Sequence, residues 1–293
     1  GVEIGVSPMI ASDDAGNLII PVSPAFPSSQ TINDTKFVVL EAGATSVANV
    51  IKDDKKDEQG NVIKGDDGNP VKEWRYFTIP ANTISDAGRI DFISASGQVR
   101  TNGGWIYFYP GQGANAGKVV RTWGTWGGYK NKTEVFTGGL ATSSLSAYPK
   151  VVKGSDGTEI LLQTGTSSNK AALYSMTEGG GVLTLLDAAP YSSALLSGTK
   201  VKYDADRQFY VYAAYESSGW NVTKTMLNVK NTVTGAETSL DLNRGSWSAS
   251  SYAAGMWVDA EFADANTIYV YCYMPGQGAW KYKVNVTLGV QPP

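Results

Sequence analysis

The chain has 293 residues, a formal net charge of −3 and no histidine. Without histidine it cannot use a Ser-His-Asp or Cys-His nucleophile, a His-ligated zinc ion or imidazole acid–base chemistry. Its single cysteine, Cys272, excludes an internal disulfide. No run of Lys or Arg alternates with aromatic residues, so the sequence lacks the electrostatic footprint of a nucleic-acid-binding protein.

The composition favours many short strands over helices. The chain contains 33 Gly, 16 Tyr and 8 Trp, a mixture that suits strands with aromatic side chains joined by tight turns. No long window has a clear helical apolar period, and Gly or Pro interrupts nearly every candidate helix. The sequence therefore predicts an all-β fold.

One pattern recurs along the chain: a turn rich in Asp, Gly or Asn, a hydrophobic strand, a loop and a second alternating strand. In chain order, the predicted strand pairs are Leu18–Ile20 with Lys36–Leu40, Trp105–Phe108 with Gly117–Val120, Ile160–Leu162 with Ala172–Ser175, Phe209–Tyr212 with Thr225–Val229, and Ile268–Tyr271 with Trp280–Val284. The pentapeptide Pro-Gly-Gln-Gly-Ala occurs twice between the two strands of a unit, at Pro110–Ala114 and Pro275–Ala279. The units recur roughly every 50–60 residues, which indicates longer loops than those of well-known propeller repeats.

This repeat predicts a single domain over residues 1–293, a β-propeller of about five to seven blades. One four-stranded blade cannot bury both of its faces alone, whereas radially packed blades bury them and leave only short edges. The last unit leaves little chain for a final strand, and we expect the alternating segment Val2–Val6 to close the ring by pairing with it. The alternative architecture is a tandem pair of β-sandwich domains.

The segment Asp53–Lys72 is an insertion in this repeat. It is charged, poor in hydrophobic residues and rich in turn formers, which predicts an exposed hairpin or a mobile loop with turns at Gly60-Asn61 and Asp67-Gly68. Asp66-Asp67-Gly68-Asn69 does not match an EF-hand calcium loop, which needs alternating Asp residues before the Gly and a later Glu. No metal or cofactor is predicted.

A group of aromatic residues is the best candidate for a ligand-binding surface. Trp123, Trp126 and Tyr129 lie in a Gly-rich segment with few apolar neighbours, which we expect to lie outside a strand. Exposed aromatic rings with a polar tip suit stacking on sugar rings and other ligands. Trp220 and Trp247 occupy similar turn-rich settings, and we expect them to line the same mouth. The alternative is that these rings fill the core or a blade interface.

Two carboxylates carry the competing enzymatic hypothesis. Asp259 and Glu261 are two residues apart in an apolar run, so on a strand they would project from one face. Paired carboxylates can act as acid and base in a glycoside hydrolase or lyase. The simpler interpretation is a solvated strand face beside a turn, and no catalytic residue is assigned.

The repeated unit, in which Asp-x-x-Gly precedes a hydrophobic strand and a second strand ends in Gly turns, resembles the β-propeller domains of uncharacterised exported lipoproteins of gut Bacteroidetes. The resemblance implies binding of a carbohydrate or another polymer beside glycan-uptake machinery at the outer membrane. The first functional hypothesis is therefore a non-catalytic module that binds a glycan or a protein. The chain starts at Gly1 without Met, which suggests that an export signal was removed. We therefore expect a location in the periplasm or at the cell surface, with peripheral outer-membrane attachment through a missing N-terminal anchor.

Overall fold

The computed structural model describes residues 10–21, 34–43, 52–74, 77–87, 90–125, 128–137, 149–163, 170–190, 202–218, 221–242, 247–248, 257–264, 266–274 and 278–285. These residues form 23 β-strands and no helix, and hence no helix that is long and apolar enough to cross a membrane. The all-β prediction is confirmed. The predicted closing strand Val2–Val6 lies outside the described residues. The chain divides into two compact units, residues 1–138 with 179–182 and residues 139–178 with 183–293. The single-domain assignment stays a prediction.

The first unit contains two sheets and a separate ribbon. Sheet 1 has the order β1-β2-β3-β6, with β1 at Ala11–Ser12, β2 at Leu18–Pro21, β3 at Thr35–Leu40 and β6 at Phe77–Ile79. The ribbon pairs β4 (Lys52–Asp54) with β5 (Lys72–Trp74). Sheet 2 is an antiparallel meander of β7 (Ile90–Gln98), β8 (Gly103–Pro110), β9 (Val119–Thr125) and β10 (Gly128–Thr137), and β14 (Gly181–Val182) pairs in parallel with β10.

The second unit contains three antiparallel sheets. Sheet 3 consists of β11 (Lys150–Lys153), β12 (Glu159–Gln163), β13 (Lys170–Ser175) and β15 (Thr184–Pro190). Sheet 4 consists of β16 (Lys202–Asp204), β17 (Phe209–Ser218), β18 (Asn221–Asn231) and β19 (Glu237–Asp241), with β20 (Trp247–Ser248) beside β18. Sheet 5 consists of β21 (Trp257–Asp264), β22 (Thr267–Met274) and β23 (Gly278–Asn285).

The five predicted strand pairs are confirmed as neighbouring antiparallel strands. They are β2 with β3, β8 with β9, β12 with β13, β17 with β18, and β22 with β23. The strands extend beyond the predicted segments, except that β9 begins later, at Val119 rather than at Gly117. Gly117 adopts a φ of 70°, and its N–H closes the preceding loop on the Pro110 carbonyl at 3.0 Å.

The first hairpin turn ties sheet 1 to sheet 2. Its two backbone hydrogen bonds, from Asp13 N–H to the Asn17 carbonyl and from Gly16 N–H to the Asp13 carbonyl, measure 3.0 and 2.9 Å. Gly16 has a φ of 78°, a conformation that other residues rarely adopt. Asp13 Oδ1 accepts the N–H of Asn17, and Oδ2 accepts the N–H of Val99 in the β7–β8 turn, each at 3.0 Å. One buried carboxylate therefore orders its own turn and connects two sheets.

The core of the first unit lies between the facing surfaces of sheets 1 and 2. Phe37, Phe92 and Phe108 form a ring triangle with centroid separations of 5.3, 5.9 and 6.1 Å. Edge-on and tilted arrangements at these distances are the favourable geometries for aromatic pairs. Aliphatic side chains of both sheets complete the cluster, among them Ile19, Val39, Ile79, Ile106 and Val120.

In the second unit, sheet 4 is buried on both faces. Tyr210 and Tyr212 pack with residues of sheet 3, whereas Phe209 and Val211 of the same strand pack with residues of sheet 5, including the buried Cys272. Successive residues of a strand point to opposite faces. A strand enclosed on both sides therefore needs an apolar residue at every position, which is why Phe209–Tyr212 shows no polar alternation.

The segment Asp53–Lys72 forms an exposed hairpin arm, with β4 and β5 as its stem. Its turns occur where the sequence predicts them, at residues 57–61 and 65–69, and Gly60 and Gly68 have φ values of 87° and 76°. Asn61 donates through its backbone and side-chain N–H groups to the Asp57 carboxylate, which holds the pKa of Asp57 below its usual value. This hydrogen-bond pattern matches the one at Asp13, although here it is exposed to solvent.

Removal of the arm should leave the fold intact. Replacement of residues 55–71 by Asn-Gly preserves the β4–β5 stem, and the hydrogen bonds described for the arm join its own residues to one another. We expect the free energy of unfolding to change by less than about 1 kcal/mol, because an exposed arm contributes little core. Urea unfolding followed by circular dichroism measures this change. Loss of the cooperative transition would show that the arm is part of the core structure.

Candidate ligand-binding site

The hairpin of β9 and β10 carries the predicted aromatic group. Trp123 lies within β9 and Tyr129 within β10, so the expectation that this segment lies outside strands is wrong. Two of its glycines lie in strands: Gly124 pairs with Gly104 of β8, and Gly128 pairs with Thr125. Trp126 and the side chain of Tyr129 lie outside the described residues.

A β-bulge lies directly opposite Trp123. Gly124 pairs with Tyr129 and Thr122 pairs with Thr133. Between these pairs β9 contains one residue, Trp123, whereas β10 contains three, residues 130–132, so β10 has two extra residues. Bulges bend a strand, redirect its side chains and are frequent beside functional sites. This bulge directs the Lys132 side chain towards the aromatic group, as its contacts show.

Trp123 and Trp105 form a perpendicular pair on one face of sheet 2. They occupy paired positions in β9 and β8, and their ring centroids lie 5.3 Å apart at an interplanar angle of 90°. The indole of Trp123 covers Gly103, where an added Cβ would lie 2.7 Å from the indole Nε1. Both indoles are half-buried, so part of each ring remains accessible to solvent.

Beneath the indoles lies a buried ion pair. Arg121 donates from Nε to Glu134 Oε2 at 2.7 Å, and its Nη2 lies 2.5 Å from the same oxygen. Arg121 Nη1 also contacts the Tyr107 hydroxyl at 3.4 Å, and its Cζ lies 4.3 Å from the Trp105 ring centroid. Burial opposes the charge of Arg121, but Tyr107 and Glu134 outweigh it and raise its pKa above the usual value. The guanidinium is therefore a permanent cation.

Lys132 covers the outer side of this group. Its Nζ lies 4.7 Å from the Trp105 ring centroid and 4.0 Å from Glu134 Oε1, which is too long for a hydrogen bond. The side chain is 54% exposed, whereas Glu134 is 7% exposed. We call these five residues the indole cluster: Trp105, Arg121, Trp123, Lys132 and Glu134. It offers two half-buried indole rings and an exposed ammonium group to a ligand.

The other two predicted aromatic residues belong to sheet 4. Trp220 lies outside the described residues, between Ser218 and Asn221, which pair at the end of the β17–β18 hairpin. The backbone of Trp247 pairs with Val222, beside the same hairpin end, and its side chain is not described. The structure thus brings the backbones around these two residues together.

The predicted aromatic residues belong to both compact units. Trp123 lies in sheet 2 of the first unit, whereas the backbone of Trp247 lies in sheet 4 of the second. The expectation that all five residues line one mouth stays a prediction.

Asp259 and Glu261 project from one face of β21, as the alternation predicts. Each has a partner: Asp259 Oδ1 lies 2.9 Å from Lys202 Nζ, and Glu261 Oε2 accepts the Tyr271 hydroxyl at 2.7 Å. Asp259 is partly exposed and Glu261 is exposed on this strand face. Among the described residues, no group of three His, Cys, Asp or Glu side chains is placed to hold a metal ion.

Four of the five members of the indole cluster were not predicted as site residues. Trp105 was predicted only as a strand residue, and Arg121, Lys132 and Glu134 were assigned to no strand or site. The signal was the alternation of Trp105 with Tyr107 and of Arg121 with Trp123, which places these residues on one face once the strands are paired in register. The bulge that positions Lys132 has no comparable signal in the sequence.

No protein-family model matches the sequence, and no curated protein matches it. Solved structures do match. A crystal structure of a protein from Lactobacillus plantarum aligns with 94% of this chain and 70% of its own, at 11% identity and a TM-score of 0.42. A mutant of AofleA from Arthrobotrys oligospora, in which three arginines are replaced by alanine, aligns with 97% of this chain and 70% of its own, at 13% identity and a TM-score of 0.45. At these values neither structure assigns a family or a function to the chain.

Proposed function

We propose that this protein binds a glycan or a related polymer without transforming it, and that the indole cluster is its contact surface. The observation that carries the proposal is the bulge opposite Trp123. Two extra residues in β10 break a regular ladder where two half-exposed indoles meet a lysine. Bulges are frequent beside ligand sites, where they redirect side chains.

The chemistry of the cluster suits a sugar. Indole rings stack on the apolar face of a ligand and keep a polar N–H at their edge, and a few convergent polar groups then fix the orientation of the ligand. Trp105 and Trp123 supply the rings, and Lys132 supplies a donor that is more than half exposed. Because Arg121 fixes the Glu134 carboxylate from below, the base of the site is rigid.

The proposed fold is a β-propeller of about five to seven blades. Its support is the way the sheets use their faces: within the second unit, sheet 4 is covered on one face by sheet 3 and on the other by sheet 5. A two-sheet sandwich buries only one face of each sheet. An experimental structure with two separate sandwiches would contradict the proposal.

The remaining parts of the proposal concern further contacts and location. Trp126 and Tyr129 are proposed to extend the contact surface, and Trp220 with Trp247 to form a second one. The resemblance to exported lipoproteins supports a place in the periplasm or at the cell surface, with outer-membrane attachment.

The test begins with a glycan array or affinity gel to find a bound polymer. The double substitution Trp123→Ala and Trp126→Ala should then weaken binding at least about tenfold, because each stacked ring contributes on the order of 1 kcal/mol or more. The matched control is Tyr273→Ala, which removes an exposed aromatic residue of sheet 5. Trp123→Phe, which keeps a ring over Gly103, separates ligand contact from packing.

Two results would argue against this function. A large fall in melting temperature of the double variant with unchanged affinity would mean that the rings are only structural. Turnover of a polysaccharide that disappears in Asp259→Asn or Glu261→Gln would instead establish the carboxylate-dependent glycoside hydrolase or lyase.

A further inference from the structure

We infer that the ligand of the indole cluster is an acidic glycan, one that carries carboxylate or sulfate groups. This inference rests on the proposed function and adds the chemical class of the ligand. It comes from the balance of charge around the β10 bulge, which is positive although the whole chain has a net charge of −3.

The negative charge of the cluster is already neutralised. Glu134 is buried, and its Oε2 receives both the Nε and the Nη2 of Arg121 at 2.7 and 2.5 Å. These charge-assisted contacts to Oε2 pair the charge of Glu134 with that of Arg121. Neither group is therefore available to balance a further ion on the surface above it.

The bulge contributes two exposed lysines, of which Lys132 lies beside this ion pair. Lys130 and Lys132 are both exposed members of the bulge opposite Trp123. Lys132 Nζ is 4.0 Å from Glu134 Oε1, beyond hydrogen-bond range, so the ammonium retains its capacity to bind another anion. The surface around Trp123 therefore presents aromatic rings next to an excess of positive charge.

An acidic sugar fits both features at once. Its ring can stack on an indole, while a carboxylate or sulfate at its edge meets a lysine. A neutral sugar would form no ion pair with either lysine. Nucleic acid also combines rings with anions, but two exposed lysines are few for a phosphate backbone, whose binding depends on many simultaneous contacts.

The experiment uses polymers that differ only in charge. Polygalacturonate is compared with its fully methyl-esterified form, and dextran sulfate with dextran, by affinity electrophoresis and calorimetry. We expect the wild-type protein to bind the acidic member of at least one pair about tenfold more tightly, with an affinity that falls as salt rises. The two pairs distinguish carboxylate from sulfate recognition.

Substitutions of Lys132 test whether the preference for acidic polymers depends on the bulge. Lys132→Gln should weaken binding of the acidic polymer about threefold to fivefold, and Lys132→Arg should retain it, because an exposed ion pair has this modest strength. Lys281→Gln is the matched control, since it removes an exposed lysine that also contacts aromatic rings, those of Tyr269 and Tyr271 in sheet 5.

Each outcome bears on one of the two proposals. Equal binding of charged and neutral polymers, lost in the Trp123→Ala and Trp126→Ala double variant, would overturn the acidic ligand and support the proposed function. No binding of any glycan would overturn the proposed function itself. If a single-stranded DNA oligonucleotide binds as tightly as the acidic polysaccharide, the site recognises polyanions in general. That result would overturn the glycan assignment.

Discussion

Substitution of Glu134 by Gln is expected to lower the free energy of unfolding by about 3 kcal/mol, because it leaves the buried Arg121 guanidinium without a counter-charge. The ion pair is 6–7% exposed, so water cannot replace the lost carboxylate. A guanidinium keeps its proton in proteins, so Arg121 cannot become neutral to relieve the cost.

Urea unfolding of the wild type and of Glu134→Gln measures this difference. Glu261→Gln is the control, because it changes an exposed carboxylate that accepts one tyrosine hydroxyl, and its effect should stay under about 1 kcal/mol. The double substitution of Arg121 and Glu134 by Met should recover much of the lost stability, because it removes both charges together. Equal effects of Glu134→Gln and Glu261→Gln would show that water reaches the ion pair.

Substitution of Gly104 by Ala is expected to cost about 3 kcal/mol or more, because the added methyl has no space. A Cβ at this position would lie 2.0 Å from the Ser96 carbonyl oxygen and 3.0 Å from Val99 Cγ2. The first neighbour is backbone in the paired strand β7, so the hairpin of β7 and β8 would have to separate. The indole of Trp123, which covers the adjacent Gly103, would move with it.

Gly157→Ala provides the comparison for Gly104→Ala. Gly157 has a φ of 86°, but no atom lies within 4 Å of an added Cβ. Its substitution should cost about 1 kcal/mol, the strain of the left-handed conformation alone. The melting temperatures of both variants, compared with that of the wild type, rank the two losses of stability. A larger loss for Gly157→Ala would mean that backbone conformation, rather than the close approach of strands, dominates at these glycines.

Much of the fold was predictable because its signals are local. The residues of the turn Asp13–Asn17 predict its geometry, because its Asp accepts backbone N–H groups and its Gly adopts a positive φ. The apolar run Phe209–Tyr212 likewise identifies a strand. The outer strands were harder: β1 and β6 are two and three residues long, and pairing with a longer neighbour fixes them rather than their own composition.

The candidate site was only partly predictable because it depends on register. The glycines around Trp123 look like loop residues in sequence, yet Gly124 lies in a strand opposite Gly104. Trp105 lies 18 positions before Trp123 along the chain and meets it only through strand pairing. The bulge that positions Lys132 depends on how β9 and β10 pair. Neither strand shows it in its own sequence.

The two covered faces of sheet 4 determine how the second unit can fold. Its two apolar faces need two different neighbours, so the sheet cannot be stable until both are in place. During synthesis sheet 3 emerges first, and the face with Phe209 and Val211 stays open until sheet 5 follows. In that interval the nascent chain exposes an apolar surface that is prone to aggregation. The completed unit should gain its stability in one cooperative step.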